Sequence, residues 1–207
     1  MSVIASPRFY LYGWIYDALI NSFLKGVRKK IANYIISSNL YPVLDVCCGT
    51  GKQCASLNIS EDMVMGFDCD FKMMIYASFK YSNIPFICAD ASDMPFKPQS
   101  IKSIIISFSI HDKPCELRQK MLAEAMKLLS PNGKIILVDF VHPWNFVSRL
   151  GYSLIYVVEK LAGKEHFRNG RKFLQGGGLE GFLKYYDFKK IISYNLELLC
   201  SRLVIVE

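Results

Sequence analysis

Residues 43–53 read VLDVCCGTGKQ. Val43, Leu44 and Val46 flank an acid, Asp45, and run into a Gly-Thr-Gly bend. A short apolar strand that ends this way commonly hands over to a ligand-binding loop. Gly49 and Gly51 can take positive φ at little cost and let a ligand approach the backbone. Cys47 and Cys48 sit where such loops usually begin with glycine, which raises the question of a metal or redox site. Adjacent residues of a strand point to opposite faces. Neither a CxxC pair nor a close histidine completes a tetrahedral set with Cys54 or Cys69, so no metal ligand is assigned.

Working outward, the strand-then-turn succession repeats. Apolar runs at 63–67, 84–89, 101–108 and 134–140 join 43–47 as strand candidates. They are short and continuous, as strands covered on both faces must be. Between the last two, Leu117, Met121, Leu122, Ala125, Leu128 and Leu129 recur at helical spacing over 115–129. That helix is expected to stop at Ser-Pro-Asn-Gly, 130–133. Strands alternating with helices predict a doubly wound, mostly parallel α/β sheet with right-handed crossovers. Stretches 188–193 and 198–206, with Asn195 near the turn, read as an antiparallel pair at the sheet edge. Upstream, 10–36 reads as two short amphipathic helices, the second carrying Lys25, Arg28, Lys29 and Lys30.

A chain of 207 residues, 52% hydrophobic and 21% charged, suits one packed domain rather than a disordered segment. Its expected parts are a helical cap (1–39), a ligand-binding core (40–142), an insertion (143–186) and a terminal strand pair (187–207). The net charge of +7 is concentrated in the cap, with five basic residues against one acid, and in the insertion, with seven against three. That excess reads as solvated helix faces or as a positive surface toward an acidic substrate or an anionic membrane. Nucleic acid is not expected, because no compact basic-aromatic motif occurs. Seven cysteines and the lack of a signal-peptide pattern suggest free thiols in a reducing, cytoplasmic setting.

Ligands of such sheets sit at the carboxyl ends of the strands, which directs attention to 47–51, 68–70, 90–91 and 107–112. In GFDCD, 66–70, Asp68, with Asp70 as the fallback, is placed to accept hydrogen bonds from a ribose diol. In CADASDMPF, 88–96, Asp90 could meet an adenine amino group, and Ala91 offers a small surface beside it. A dinucleotide fingerprint would require a third glycine where Cys54 stands. A phosphate-binding loop would require Gly-Lys-Ser/Thr, where the chain has Gly51-Lys52-Gln53. A nucleoside without phosphates fits better. Asp45 would repel pyrophosphate yet tolerate a sulfonium and an ammonium. His111, just past a strand end with Asp112 beside it, is the candidate general base at the cleft mouth, with a pKa near neutrality. Its structural alternative is a polar loop residue or helix cap. Stretch 151–163, GYSLIYVVEKLAG, reads as a core or cap helix, and Gly176, Gly177 and Gly178 as a turn or the hinge of a lid.

Together VLDVCCGTG, GFDCD, CADASDMPF and LSPNGKIILVDF (129–140) resemble the class I S-adenosylmethionine-dependent methyltransferases. Their order is similar to that of the ubiquinone/menaquinone-biosynthesis C-methyltransferase group, whose N-terminal cap YDALINSFLKGVRKK (16–30) also resembles. The resemblance implies a Rossmann-like seven-stranded sheet, S-adenosylmethionine as cofactor and a small aromatic or lipophilic acceptor. It implies that Asp45, Gly49 and Gly51 surround the methionine part, with Cys47, Thr50 and Cys69 also among the cofactor-binding residues. Asp68 would face the ribose, Asp90 and Ala91 the adenine, and Ser107 the donor methyl. On this reading the double cysteine is loop and core packing. Two departures leave the acceptor open: His111-Asp112 replaces the usual Arg-Asn pair, and the tail EHFRNGRKFLQGGGLEGFL (165–183) is not that group's ending. The competing readings are an NAD(P)-linked oxidoreductase on the same sheet and a non-catalytic nucleoside-binding protein.

Overall fold

A computed structural model describes residues 23–207. The first predicted cap helix and residues 16–22 of the cap motif lie outside the described residues. The second cap helix is α1, residues 23–37. Seven strands follow: β1 (Val43–Val46), β2 (Val64–Asp68), β3 (Phe86–Cys88), β4 (Ile101–Ser107), β5 (Leu129–Phe140), β6 (Lys190–Leu196) and β7 (Ser201–Val206). They form one sheet in the order β3-β2-β1-β4-β5-β7-β6. The first five are parallel, and β7 pairs antiparallel with both β5 and β6. This is the predicted doubly wound sheet with its antiparallel edge pair.

Alternation along each strand divides the core. Leu44, Val46, Ile104, Ile106, Ile135 and Leu137 pack on one face against helix α4 (Cys115–Leu128). Val43, Ile105, Ile136 and Val138 pack on the other against Ile31 and Ile35 of α1. Period-two alternation thus sends neighbouring apolar residues into opposite layers, which is why these strands read as unbroken apolar runs. On the second face lie α2 (Lys52–Ser56), which contributes Cys54, and α3 (Phe71–Lys80), whose Met73, Met74 and Ala77 pack with Cys48.

The boundaries move where local chemistry intervenes. β1 ends one residue before the predicted 47, because Cys47 takes a φ of 57°. The Ser-Pro-Asn-Gly turn is a bulge: Ile101 pairs with Leu129, but Ser103 pairs with Lys134, and Asn132 has a φ of 62°. The turn between the last strands falls at 197–200, not at Asn195, which lies within β6; Cys200 has a φ of 42°. The 143–186 segment forms α5 (Phe146–Ala162), α6 (Lys164–Gln175) and α7 (Gly178–Leu183). Asn145 and Ser148 cap α5 reciprocally, so it starts before the predicted 151. Gly176–Gly178 is a packed turn and not a free hinge. A Cβ on Gly178 would stand 2.6 Å from the Phe140 carbonyl oxygen.

Candidate functional site

The strand order places the topological switch point between β1 and β4. The direction in which successive strands are added to the sheet reverses there, which opens a crevice at the carboxyl edge. Register aligns the strand ends, with Val46 opposite both Phe67 and Ile106, and Asp68 opposite Cys88. Loops after four strands therefore converge along one edge, as the spacing of the motifs required.

The loop after β1 is shaped by three left-handed residues in five: Cys47 at 57°, Gly49 at 53° and Gly51 at 72°. Gly51 is obligatory on two counts. Its φ disfavours a side chain, and a Cβ would lie 2.5 Å from Phe86 Cζ. Asp68 ties this loop to the next strand end: its Oδ2 accepts from Gly49 N at 2.9 Å and its Oδ1 from Asp70 N at 2.9 Å. The helix N-cap is Asp70, accepting from the amides of Lys72 and Met73, so Asp68 does not serve as the cap.

Asp45, Cys47, Gly49, Thr50 and Ser107 line one cavity at the switch point, and α1 adds Arg28. Asp45 is 2% exposed. Burial raises its carboxyl to about 7, although a hydrogen bond from the Cys54 thiol and the charge of Arg28 pull the other way. Cys54 fills the place of the third glycine and donates to Asp45 Oδ2 at 3.4 Å. Burial pushes the Cys47 thiol up to about 12 and the Cys54 thiol well above its ordinary value. Cys47 packs toward one face of the sheet and Cys48 toward the other. All seven cysteines are free.

Gly51 in the same loop, and Asp68, Cys69, Asp90 and Ala91 at the neighbouring strand ends, do not line this cavity. Asp90 is exposed and accepts from both the amide and the hydroxyl of Ser92; the amide bond comes first in holding its carboxyl below the ordinary value. Ala91 is buried in the core cluster.

His111 is placed differently from expectation. It does not stand at an open mouth: its residue exposure is 2%, beneath α5 and α6. Its partner is Asp139 at the end of β5, with Nδ1 2.8 Å from Oδ1, and not the adjacent Asp112. Burial alone would lower its pKa, but Asp139 and then Glu159 more than offset that and raise it to about 10. The expected position at the cleft mouth beside Asp112 is therefore corrected to a buried cluster with Asp139 and Glu159. Asp112 instead pairs with Lys113 at 2.7 Å.

Several residues emerge only from tertiary contact. Arg118 on α4 is buried and clasps the loop after β4 to α6: Nε donates to the Ile110 carbonyl at 2.8 Å, and Nη2 to those of His111 and Asn169 at 2.9 Å each. Asn169 Nδ2 returns a bond to the Asp112 carbonyl at 2.9 Å. Glu159 of α5 contacts both His111 and His166. Beyond them lies a second cavity, walled by Phe140, Tyr152, Ile155, Tyr156, Phe167 and, at its polar edge, Glu159. The walls of the two cavities meet where the Phe108 and Phe140 rings pack with centroids 5.6 Å apart.

Comparison with known proteins agrees with this fold. A family profile described as a methyltransferase domain matches residues 43–133. The chain is similar to the demethylmenaquinone methyltransferase of Chlorobaculum tepidum, at 30% identity over 198 residues, covering 89% of this chain and 81% of that one. Among solved structures, a Pyrococcus horikoshii OT3 protein aligns with a TM-score of 0.65 at 20% identity, over 93% of this chain and 90% of that one. The N-methyltransferase NodS of Bradyrhizobium japonicum WM9, in complex with S-adenosyl-L-homocysteine, aligns with a TM-score of 0.64 at 11% identity, over 89% and 86%.

Proposed function

The chain belongs to the class I S-adenosylmethionine-dependent methyltransferases, and on that premise we propose that its acceptor is a small aromatic or lipophilic molecule, quinone-like or of similar character. The observation that carries this reading is the pairing of two unlike cavities across the Phe108–Phe140 contact, one holding a buried carboxylate and the other walled by aromatic rings. The enzyme uses S-adenosylmethionine, and the first cavity suits it. Asp45 offers a buried negative charge to the cationic methionine end, and Arg28 a positive one to its carboxylate. A Cβ at Gly49 would meet nothing within 4 Å, so the bend leaves room for a ligand against backbone. Bound there, the cofactor supplies an electrophilic methyl on a cationic leaving group, and the protein's main task is alignment. The Asp68 bond to Gly49 N holds the loop in shape, and Ser107 floors the site at the end of β4. An oxidoreductase is not favoured, because Cys54 fills the space that a dinucleotide loop reserves for glycine.

The relative from Chlorobaculum tepidum is named for a menaquinone precursor, which supports a lipophilic acceptor. The surface of α5 supports the same reading. Phe146, Leu150 and Val157 are 75%, 57% and 54% exposed, beside exposed Arg149, Lys160, Lys164 and Arg168. Apolar side chains among cations suit the interface of an anionic bilayer, and we include peripheral contact with such a surface in the proposal. No described helix is long and apolar enough to cross a membrane.

Calorimetry with S-adenosylmethionine, S-adenosylhomocysteine and NAD, followed by labelled-methyl transfer to a panel of quinols, phenols and polar amines, tests the reading. Binding of the first two ligands with transfer confined to the aromatic lipophilic compounds is expected. Transfer confined to the polar amines would overturn the acceptor class, and binding of NAD alone would overturn the site assignment.

A further inference from the structure

We propose that His111, Glu159 and His166 bind a divalent transition-metal ion of the zinc class. His111 Nε2 and His166 Nε2 lie 3.3 and 2.8 Å from one oxygen, Glu159 Oε2. One ligand atom from each residue falls within 4.8 Å of the others. A single ion spans such separations: bonds of about 2.0–2.2 Å place neighbouring ligand atoms of a tetrahedral site roughly 3.3 Å apart. Glu159 stands at ion-pair distance from both imidazoles, yet His111 Nε2 and Glu159 Oε2 are buried without a well-aligned hydrogen bond. Buried polar atoms are rarely left in that state.

The surroundings prepare the site. Asp139 Oδ2 accepts from the amides of Ile110 and His111, which fixes the carboxylate, and its Oδ1 faces His111 Nδ1 at 2.8 Å. A proton held on Nδ1 leaves the Nε2 lone pair for a metal, the usual carboxylate-histidine-metal arrangement. Behind the other ring, Asp112 Oδ2 is 3.7 Å from His166 Nδ1. Gly170 of α6 borders the cluster, where a Cβ would stand at ordinary contact distance, 3.4 Å, from Glu159 Oε2. Two imidazoles and one carboxylate are the ligand set of zinc sites that keep a position open. Glu159 also lines the aromatic cavity, so the ion would stand in that cavity's wall, within reach of an oxygen or sulfur donor on the acceptor. The site goes beyond the proposed function and does not rest on it.

The test is titration of the chelator-stripped full chain with Co²⁺ and Zn²⁺, without cofactor, in the wild type and in Glu159→Gln and His166→Ala. His166 is partly exposed, so its removal spares the core. One equivalent of Co²⁺ with visible ligand-field absorption, no near-ultraviolet thiolate band, and displacement by Zn²⁺ is expected. Each variant, with an unchanged circular dichroism spectrum, is expected to bind at least tenfold more weakly. Absence of saturable binding to the wild type would overturn the proposal. So would a thiolate band, which would place the ion on the cysteines, or equal affinity in folded variants. Because cofactor binding is measured separately, failure here leaves the methyltransferase reading untouched.

Discussion

Raising the pH from 6 to 8 is expected to tighten S-adenosylmethionine binding about tenfold, and Asp45→Asn to remove that dependence. Asp45 is buried at the end of β1 with its carboxyl raised to about 7 by burial. A cation that binds only the ionised carboxylate has an apparent Kd multiplied by one plus the ratio of protonated to ionised Asp45. That factor is about 11 at pH 6 and about 1.1 at pH 8, a tenfold ratio or roughly 1.4 kcal/mol. The unliganded protein responds in the opposite sense. Its folded pKa exceeds the ordinary 3.8, so between about pH 4 and 7 the native chain holds a proton that the unfolded chain has released. Stability therefore declines as the pH rises through that window, by on the order of 4 kcal/mol, and is level above it. Unliganded Asp45→Asn should accordingly melt above the wild type at pH 8 while binding cofactor less well. Calorimetry and thermal melts across the range check both statements. S-adenosylhomocysteine retains the ammonium but lacks the sulfonium, so parallel slopes for the two ligands would assign Asp45 to the amino end. Wild-type affinity that stays flat from pH 6 to 8, or an unchanged slope in Asp45→Asn, would refute the reasoning.

Gly51→Ala combines a left-handed backbone with a Cβ 2.5 Å from Phe86 Cζ, and should cost about 2–4 kcal/mol in urea unfolding. Adding Phe86→Leu should recover only the steric part. Arg118→Met gives up three buried hydrogen bonds and is expected to lose about 3 kcal/mol, with Arg118→Lys intermediate; a change within about 0.5 kcal/mol would show that the clasp is not structural. Co-sedimentation should favour anionic over neutral vesicles, weaken with added salt and fall at least tenfold in Leu150→Glu/Val157→Glu. Equal pelleting with both vesicle types would remove membrane contact from the reading.

The core sheet was legible because its signals are local. Continuous apolar runs at 101–108 and 134–140 must be covered on both faces, and a glycine bend just after a strand such as 43–47 has few other uses. Asp68 was legible as a site residue, but its role was not. The sequence puts Asp68 and Asp70 together at a strand end, as first choice and fallback for a ribose; only the position of the β1 loop beside β2 gives one to Gly49 N and the other to the N-cap of α3. The reciprocal cap of α5 was readable at Asn145 and Ser148, where a capping residue is followed three positions later by a hydroxyl, and that signal would have corrected the helix start.

His111 marks where local reading ends. Its neighbour in sequence, Asp112, suggested a partner, yet the acids that face its ring are Asp139, 28 residues away, and Glu159 on α5. Neither spacing has a period, and neither residue is distinctive in its own stretch. What the sequence determined by itself was the order of strands and helices and the edge where a ligand sits, because periodicity and turn chemistry act between near neighbours. What only the tertiary structure decided was which charges face one another, the buried carboxylate at Asp45 and the His111–Glu159–His166 cluster. Coulomb energy and desolvation depend on distances across packed elements, and the chain sets those distances only once it has folded.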